Sequence, residues 1–235
     1  ASPAETMPSA RYEIIRQLAC GGMAEVLLAR RTPDDGSPAE LVVIKRVLPH
    51  LTQADGFMRM FATESRIASQ LRHPNIVAVL EMGRHVESGE SGPRTEPDQA
   101  VHQDGAHFIV QELLNGINLR DHLSIVQGVQ DRQGLSPREA LSIMLPIISG
   151  LVAVHKHGIV HRDIKPENIV ITRLVSGEIV PKLVDFGIAK MYIKDEPFTR
   201  GPGLGTPWYM SPEQVRDPSK ADERTDVWAI AAVIY

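Results

Sequence analysis

Apolar positions along this chain come first in short runs of strand length and later in sets spaced for helices. Tyr12 to Leu18 is apolar enough for a strand, and Val26 to Ala29 for its hairpin partner. A Gly-, Pro- and Asp-bearing link from Arg31 to Ala39 leads to LVVIK, Leu41 to Lys45, a third strand that ends in a cation. Phe57, Met60, Phe61, Ile67 and Leu71 then fall near helical spacing. The stretch HPNIVAVLEMG reads as a turn into another strand, and HFIVQELL, His107 to Leu114, as one more. Between these two lie residues 84–106, rich in Glu, Gly, Pro, Asp and His. They cannot bury enough apolar area to order themselves, so a solvated insertion is expected, with a partner-binding loop as the alternative.

The second half predicts a long helix. Ser136, Pro137 and Glu139 supply a cap, a first-turn proline and a reciprocal capping partner. Leu141, Met144, Leu145, Ile148, Leu151 and Val152 are read as its apolar face, and Gly158 as its end. Pro146 inside it frees the carbonyl of Ser142 and bends the axis. Ile169 to Ile171 predicts a short strand, followed by a hairpin turning near Ser176 and Gly177.

Composition sets outer limits. A chain of 235 residues, 43% hydrophobic and 23% charged, has material for one large domain or two small lobes. A net charge of -4 with no basic block gives no reason to expect nucleic acid. The single cysteine, Cys20, cannot form an internal disulfide and is compatible with a reducing compartment. Apolar runs are read as too interrupted for a membrane span, and no signal peptide is visible at Ala1 to Ala10. The expectation is a soluble, cytoplasmic domain with no membrane contact within the chain; an anchor beyond residue 235 is left open. Residues 1–11 are read as a disordered lead-in. His85, His102 and His107 lack close metal-ligand spacing.

Chemistry concentrates in HRDIKPEN, His161 to Asn168. Asp163 can accept a proton from a substrate hydroxyl, Lys165 can neutralise a phosphoryl group in transit, and Asn168 can offer an oxygen to a divalent cation. The bland alternative, a solvated polar turn, would serve for HxD alone but not for the whole octet. Asp185, Phe186 and Gly187 form a DFG tripeptide, and GTPWYMSPEQ runs from Gly205 to Gln214. Together these segments resemble the eukaryotic-type (Hanks-type) Ser/Thr protein kinases, in a form similar to the bacterial eukaryotic-like members, with Ser211, Pro212 and Glu213 standing where the family usually has APE. Lys165, in place of an alanine-arginine pair, resembles the Ser/Thr branch.

The resemblance implies an α+β, two-lobed kinase-like fold. Its small antiparallel lobe would span 12–114 and its helical lobe 115–235, the latter incomplete after the start of its central helix, with an activation segment at 185–213. It implies transfer of the γ-phosphoryl group of ATP to protein Ser or Thr hydroxyls, with Mg²⁺ held by Asn168 and Asp185. Lys45 would bind phosphates and pair with Glu64. ACGGMAEV matches the family's glycine loop in part: Gly21 and Gly22 are present, but Ala19 and Ala24 occupy the outer glycine positions, so a stiffer flap is expected, with weaker ATP closure or a slower step rather than inactivity. Leu18, Val26, Val43 and Val170 would enclose the nucleotide, with Val43 narrowing the roof. Gln111 would control the rear pocket, and the backbones of Glu112 and Leu114 would meet adenine. Asn118 resembles a helix cap, Asp226 a tie to the catalytic loop, and Glu213 the partner of an arginine further on. Phosphorylated Thr199 would pair with Arg162, and a dimer would allow autophosphorylation in trans. Thr206 would contact Asp163 and Lys165 structurally, whereas Tyr192 is read as packing or solvent-facing rather than regulatory. All of this expects Asp163, Asp185 and Lys45 to meet at one pocket. The rivals are a catalytically weak or inactive kinase-like binding module and a small-molecule phosphotransferase.

Overall fold

The computed structural model describes residues 10–21, 24–48, 51, 68–86, 105–130, 134–174, 176–185, 207–217 and 220–235. The chain divides into two units, residues 1–69 with 79–113, and residues 70–78 with 114–235.

In the first unit, β1 (Ala10–Cys20), β2 (Ala24–Pro33), β3 (Glu40–Val47), β4 (Val79–Val86) and β5 (Gly105–Glu112) form one antiparallel sheet in the order β1-β2-β3-β5-β4. Alternation along the strands sorts the two faces. Leu27, Ala29, Val42, Ile44, Phe108 and Val110 form a buried cluster on one, with Tyr12 packed against it. The Tyr12 ring meets Phe108 edge to face at 6.1 Å, and its hydroxyl donates to Glu81 Oε2 at 2.7 Å. Burial and that bond to a carboxylate push the Tyr12 hydroxyl well above its usual titration range. Arg31 joins the same group, 2.7 Å from Glu40 and 3.9 Å from Glu81, so a polar clasp crosses the edge of the apolar cluster.

Several strands run longer than their apolar pattern. Ala10 and Arg11 pair with Pro33 and Thr32, so the lead-in gives up its last two residues to β1 and the link at Arg31 gives up its first three to β2. Val86 pairs with Gly105 and His85 with Ala106, which takes both ends of the polar insertion into the sheet. Backbone pairing satisfies N–H and C=O groups whatever the side chains are, so polar positions extend a ladder that hydrophobicity does not announce. Residues 87–104 lie outside the described residues, as does most of the helix expected over Phe57 to Leu71.

The second unit contains β6 (Gly116–Asn118), α1 (Leu119–Gln130), α2 (Pro137–Lys156), β7 (Ile169–Arg173), β8 (Ile179–Leu183), α3 (Pro212–Arg216) and α4 (Glu223–Ile234). The expected caps are present. Asn118 Oδ1 accepts from Asp121 N at 2.8 Å, and Ser136 and Glu139 close a full capping box on α2. Gly158, at φ 72, follows the helix in the left-handed conformation that glycine adopts without strain.

The face of α2 departs from expectation. Ile143, Met144, Ile147, Gly150, Leu151 and Val154 are buried, whereas Leu141, Leu145 and Val152 are exposed. The helix is apolar nearly all round, so periodicity could not choose between two stripes; contact with residues 75–76 decides it. A Cβ at position 150 would lie 3.0 Å from Ile76 Cδ1, which makes Gly150 the point of closest approach. By length and composition this helix could cross a membrane, contrary to the reading of interrupted runs. Ile147 and Val154 are fully buried within the unit, so one stripe of the helix packs into its core.

Candidate active site

The loop from His161 to Lys165 leads into a single 3-10 turn, Pro166–Asn168, and then β7. What holds it is a carboxylate from α4. Asp226 is wholly buried; its Oδ2 accepts from His161 N at 2.8 Å and its Oδ1 from Arg162 N at 2.7 Å. His155, near the end of α2, lies 2.8 Å from Oδ2 through Nε2. Three hydrogen bonds thus compensate a charge that burial alone would make costly.

These bonds also hold an unfavourable backbone. Arg162 has φ 62, in the left-handed region that a side chain disfavours by roughly 1–2 kcal/mol. Its carbonyl accepts from Gln214 Nε2 at 2.8 Å, so the residue is fixed through both its N–H and its C=O. Its Nη2 donates to Ala221 O at 3.3 Å.

His161 is also fully buried. Asp163 N donates to its Nδ1 at 3.3 Å, which assigns the ring proton to Nε2, 3.1 Å from Val184 O. Burial lowers its pKa, against the opposing pull of Asp226 and Asp163, and the neutral ring joins the loop to the end of β8.

Within this frame Asp163, Lys165 and Asn168 meet. Lys165 Nζ lies 3.2 Å from Asp163 Oδ2, and Asn168 Nδ2 donates to Asp163 O at 2.8 Å and to Oδ2 at 3.1 Å. Two donors on one oxygen fix the carboxylate plane. Val184 N donates to Asn168 O at 2.9 Å, so Asp185, at φ 61, directly follows a residue bonded to Asn168. Because Asn168 Nδ2 is committed to Asp163, the carbonyl oxygen remains the acceptor of that amide. It and the Asp185 carboxylate are hard oxygen donors of the kind Mg²⁺ takes from a protein, with phosphate and water completing the shell. Among the described residues no cluster of three or more His, Cys, Asp or Glu could hold a metal without such help. Arg162, Asp163, Ile164, Lys165, Tyr209, Met210, Gln214 and Ala229 line a small cavity, which sets the segment before α3 beside the loop.

In the first unit, strand register assembles the residues expected at a nucleotide. Lys45 pairs with Val26 and Ile109, and Val43 with Leu28 and Gln111; residues directly opposed in antiparallel strands share a face. Leu18 falls at a register shift in β1, and Gly21 N donates to Ala24 O at 2.9 Å to close the hairpin turn. Glu112 ends β5. Leu114 and Val170, which pairs with Asn118 and Lys182, belong to the second unit. Gly22, Glu64, Phe186, Gly187, Tyr192, Thr199 and Thr206 lie outside the described residues.

The family model for the protein kinase domain matches residues 12–235. The chain belongs to the protein kinase family. It is 34% identical over 227 residues to the serine/threonine-protein kinase PrkC of Bacillus subtilis, covering 97% of this chain and 30% of that protein. It is 33% identical over 236 residues to the tyrosine-protein kinase MasK of Myxococcus xanthus, covering 97% and 32%. The chain therefore spans about a third of the length of these relatives. The kinase domain of PknI from Mycobacterium tuberculosis superposes with a TM-score of 0.65 at 27% identity, over 99% of this chain and 76% of that one. The fold is thus the α+β, two-lobed kinase fold of the bacterial eukaryotic-like members, and the family implies ATP and a divalent cation.

Three parts of this site have no local signal in the sequence. His155 and Gln214 carry no local motif that announces their bonds to Asp226 and Arg162. The third is a hydroxyl on Glu213, where Thr225 Oγ1 donates to Oε1 at 3.3 Å. Ser211 Oγ, 3.1 Å from the Thr225 hydroxyl, completes that group and caps α3.

Proposed function

We propose that this protein transfers the γ-phosphoryl group of ATP to Ser or Thr hydroxyls of proteins. The observation that carries the reading is the Asp163 carboxylate, oriented by Lys165 at 3.2 Å and Asn168 at 3.1 Å in a loop hung on buried Asp226. Asp163 orients the acceptor hydroxyl and takes its proton as the O–P bond forms. Lys165 stabilises negative charge on the phosphoryl group in transit. Asn168 and Asp185 hold the divalent cation, read as Mg²⁺, which when bound neutralises charge on the nucleotide phosphates. Leu18, Gly21, Gly22, Val26, Val43, Gln111, Glu112, Leu114 and Val170 bind ATP, and Lys45, with Glu64, fixes its phosphates. The small lobe is assigned to 12–114 and the large one to 115–235. Thr199 is the activating phosphosite, read by Arg162 and modified in trans between two copies. The lone Cys20 suits a cytoplasmic setting.

Lys165 and the likeness to PrkC support Ser/Thr acceptors, although the MasK relative is named for tyrosine. Labelled ATP with Mg²⁺ and a protein substrate tests the reading. Asp163→Asn is expected to lower transfer by about 100-fold or more, and acid hydrolysis of the product to release phosphoserine or phosphothreonine. Transfer that is equal in Asp163→Asn, or phosphotyrosine alone, overturns it. Thr199→Ala is expected to reduce both activity and phosphate incorporation.

A further inference from the structure

We propose that Gln214 is a positioning residue for Asp163, and that it makes phosphoryl transfer depend on the seating of α3. The proposal rests on the phosphotransfer reading above and goes beyond it by naming the link between the two segments. Arg162 immediately precedes Asp163 and has φ 62, a left-handed conformation that its β-carbon disfavours. Its N–H is held from α4 by Asp226 at 2.7 Å, and its C=O by Gln214 Nε2 at 2.8 Å. Gln214 is only 7% exposed, and its backbone N–H donates to Ser211 Oγ at the head of the same short helix. Side chain and backbone are therefore both anchored, and Gln214 lines the same cavity as Asp163 and Lys165.

The geometry carries a consequence. The peptide joining Arg162 to Asp163 contains the very carbonyl that Gln214 holds, so its loss leaves that peptide held only by the long bond from Asp163 N to His161 Nδ1 at 3.3 Å, and a tilt of the peptide carries the carboxylate off line from the acceptor. An ångström of misplacement at a reacting group is enough to slow chemistry about 100-fold while leaving nucleotide affinity alone. Displacement of α3 would have the same effect without any change in the loop's own sequence.

The test uses two variants of the whole protein. Gln214→Met keeps the volume and removes the donor. Its kcat is expected to fall at least about tenfold with KM for ATP within about twofold, the signature of lost transition-state positioning. Gln214→Glu replaces the amide with a group that donates to the Arg162 carbonyl only when protonated. Its activity relative to wild type is therefore expected to rise as pH falls toward the carboxyl's pKa, whereas the Gln214→Met ratio stays flat. A merely structural role for Gln214 lowers stability in both variants and leaves both ratios independent of pH. A flat ratio for Gln214→Glu, or an unchanged kcat in Gln214→Met, overturns the proposal while leaving the phosphotransfer reading intact. If wild type transfers no phosphate, that reading falls and this proposal falls with it. Amide hydrogen exchange of residues 161–164 gives a readout free of turnover: faster exchange in Gln214→Met is expected, and unchanged exchange counts against the clamp.

Discussion

The loop from His161 to Asn168 and the hairpin turn from Ala19 to Ala24 are both assigned to ATP chemistry, but they are built in opposite ways. Residues 13–20 of β1 are all exposed, and the described part of the turn is closed by one backbone bond, Gly21 N to Ala24 O. In the loop, His161 and Asp226 are wholly buried and Asn168 nearly so, and hydrogen bonds reach it from α3 and α4. The contrast follows from the tasks. A carboxylate that must meet one hydroxyl proton needs a fixed direction, which burial and redundant bonds supply. A flap that contacts phosphates through backbone N–H groups must instead close over a ligand and reopen.

The most severe way to break the contrast is to remove the anchor. Asp226→Ala would leave the N–H groups of His161 and Arg162 and the ring of His155 without their acceptor. At about 1–3 kcal/mol for each unsatisfied buried donor, a stability loss of at least about 3 kcal/mol is expected in urea titrations. Transfer by the fraction still folded should fall about 100-fold, because the backbone of Arg162 keeps only the Gln214 bond to its carbonyl and loses the hold on its N–H. A variant with wild-type stability would show that the loop is held by its own sequence instead.

A smaller effect tests the burial of His161. Its folded pKa is depressed by desolvation, while in the unfolded chain it sits near 6.5. Below that value the unfolded state binds the proton more readily, so stability rises with pH through the window beneath 6.5 and is fully present above it. Acidification is therefore expected to weaken the fold progressively until the folded pKa is passed. Denaturant midpoints measured between roughly pH 5 and 8 check this. His161→Phe should be less stable at neutral pH but show a flatter acid limb. An equal acid limb in both proteins would assign that loss to other groups.

How far each region was legible follows from the same contrast. HRDIKPEN and the capping box at Ser136 are local strings whose chemistry lies in adjacent residues, so sequence sufficed to propose them. Their supports are remote: Asp226 lies 65 positions from His161, and Gln214 lies 52 from Arg162. The resemblance carried Asp226, but nothing local to Gln214 or His155 points across that distance. The buried stripe of α2 was misread for a related reason. Leu145 and Ile147 are equally apolar, and only the approach of residues 75–76 at Gly150 separates them. Strand ends were underestimated at Ala10, Val86 and Gly105 because backbone pairing there does not depend on apolar side chains.

The mildest change sharpens the comparison from the hairpin side. Ala19 pairs with Val26 and Ala24 with Val47, so both alanines are tied into strands at the mouth of the turn. Each restricts backbone conformations that glycine would open. Restoring glycine at both positions should lower stability by roughly 0.5–1 kcal/mol per site, and it should let the flap close more freely over phosphates. KM for ATP is then expected to drop by about twofold to fivefold, under 1 kcal/mol of binding free energy. The same pair of substitutions should leave the Asp163→Asn defect unchanged, since the described bonds that orient that carboxylate come from Lys165 and Asn168. Nucleotide titrations of wild type and the double variant measure the first effect, and transfer rates in the Asp163→Asn background measure the second. An unchanged or higher KM would mean that the alanines do not limit closure over the nucleotide.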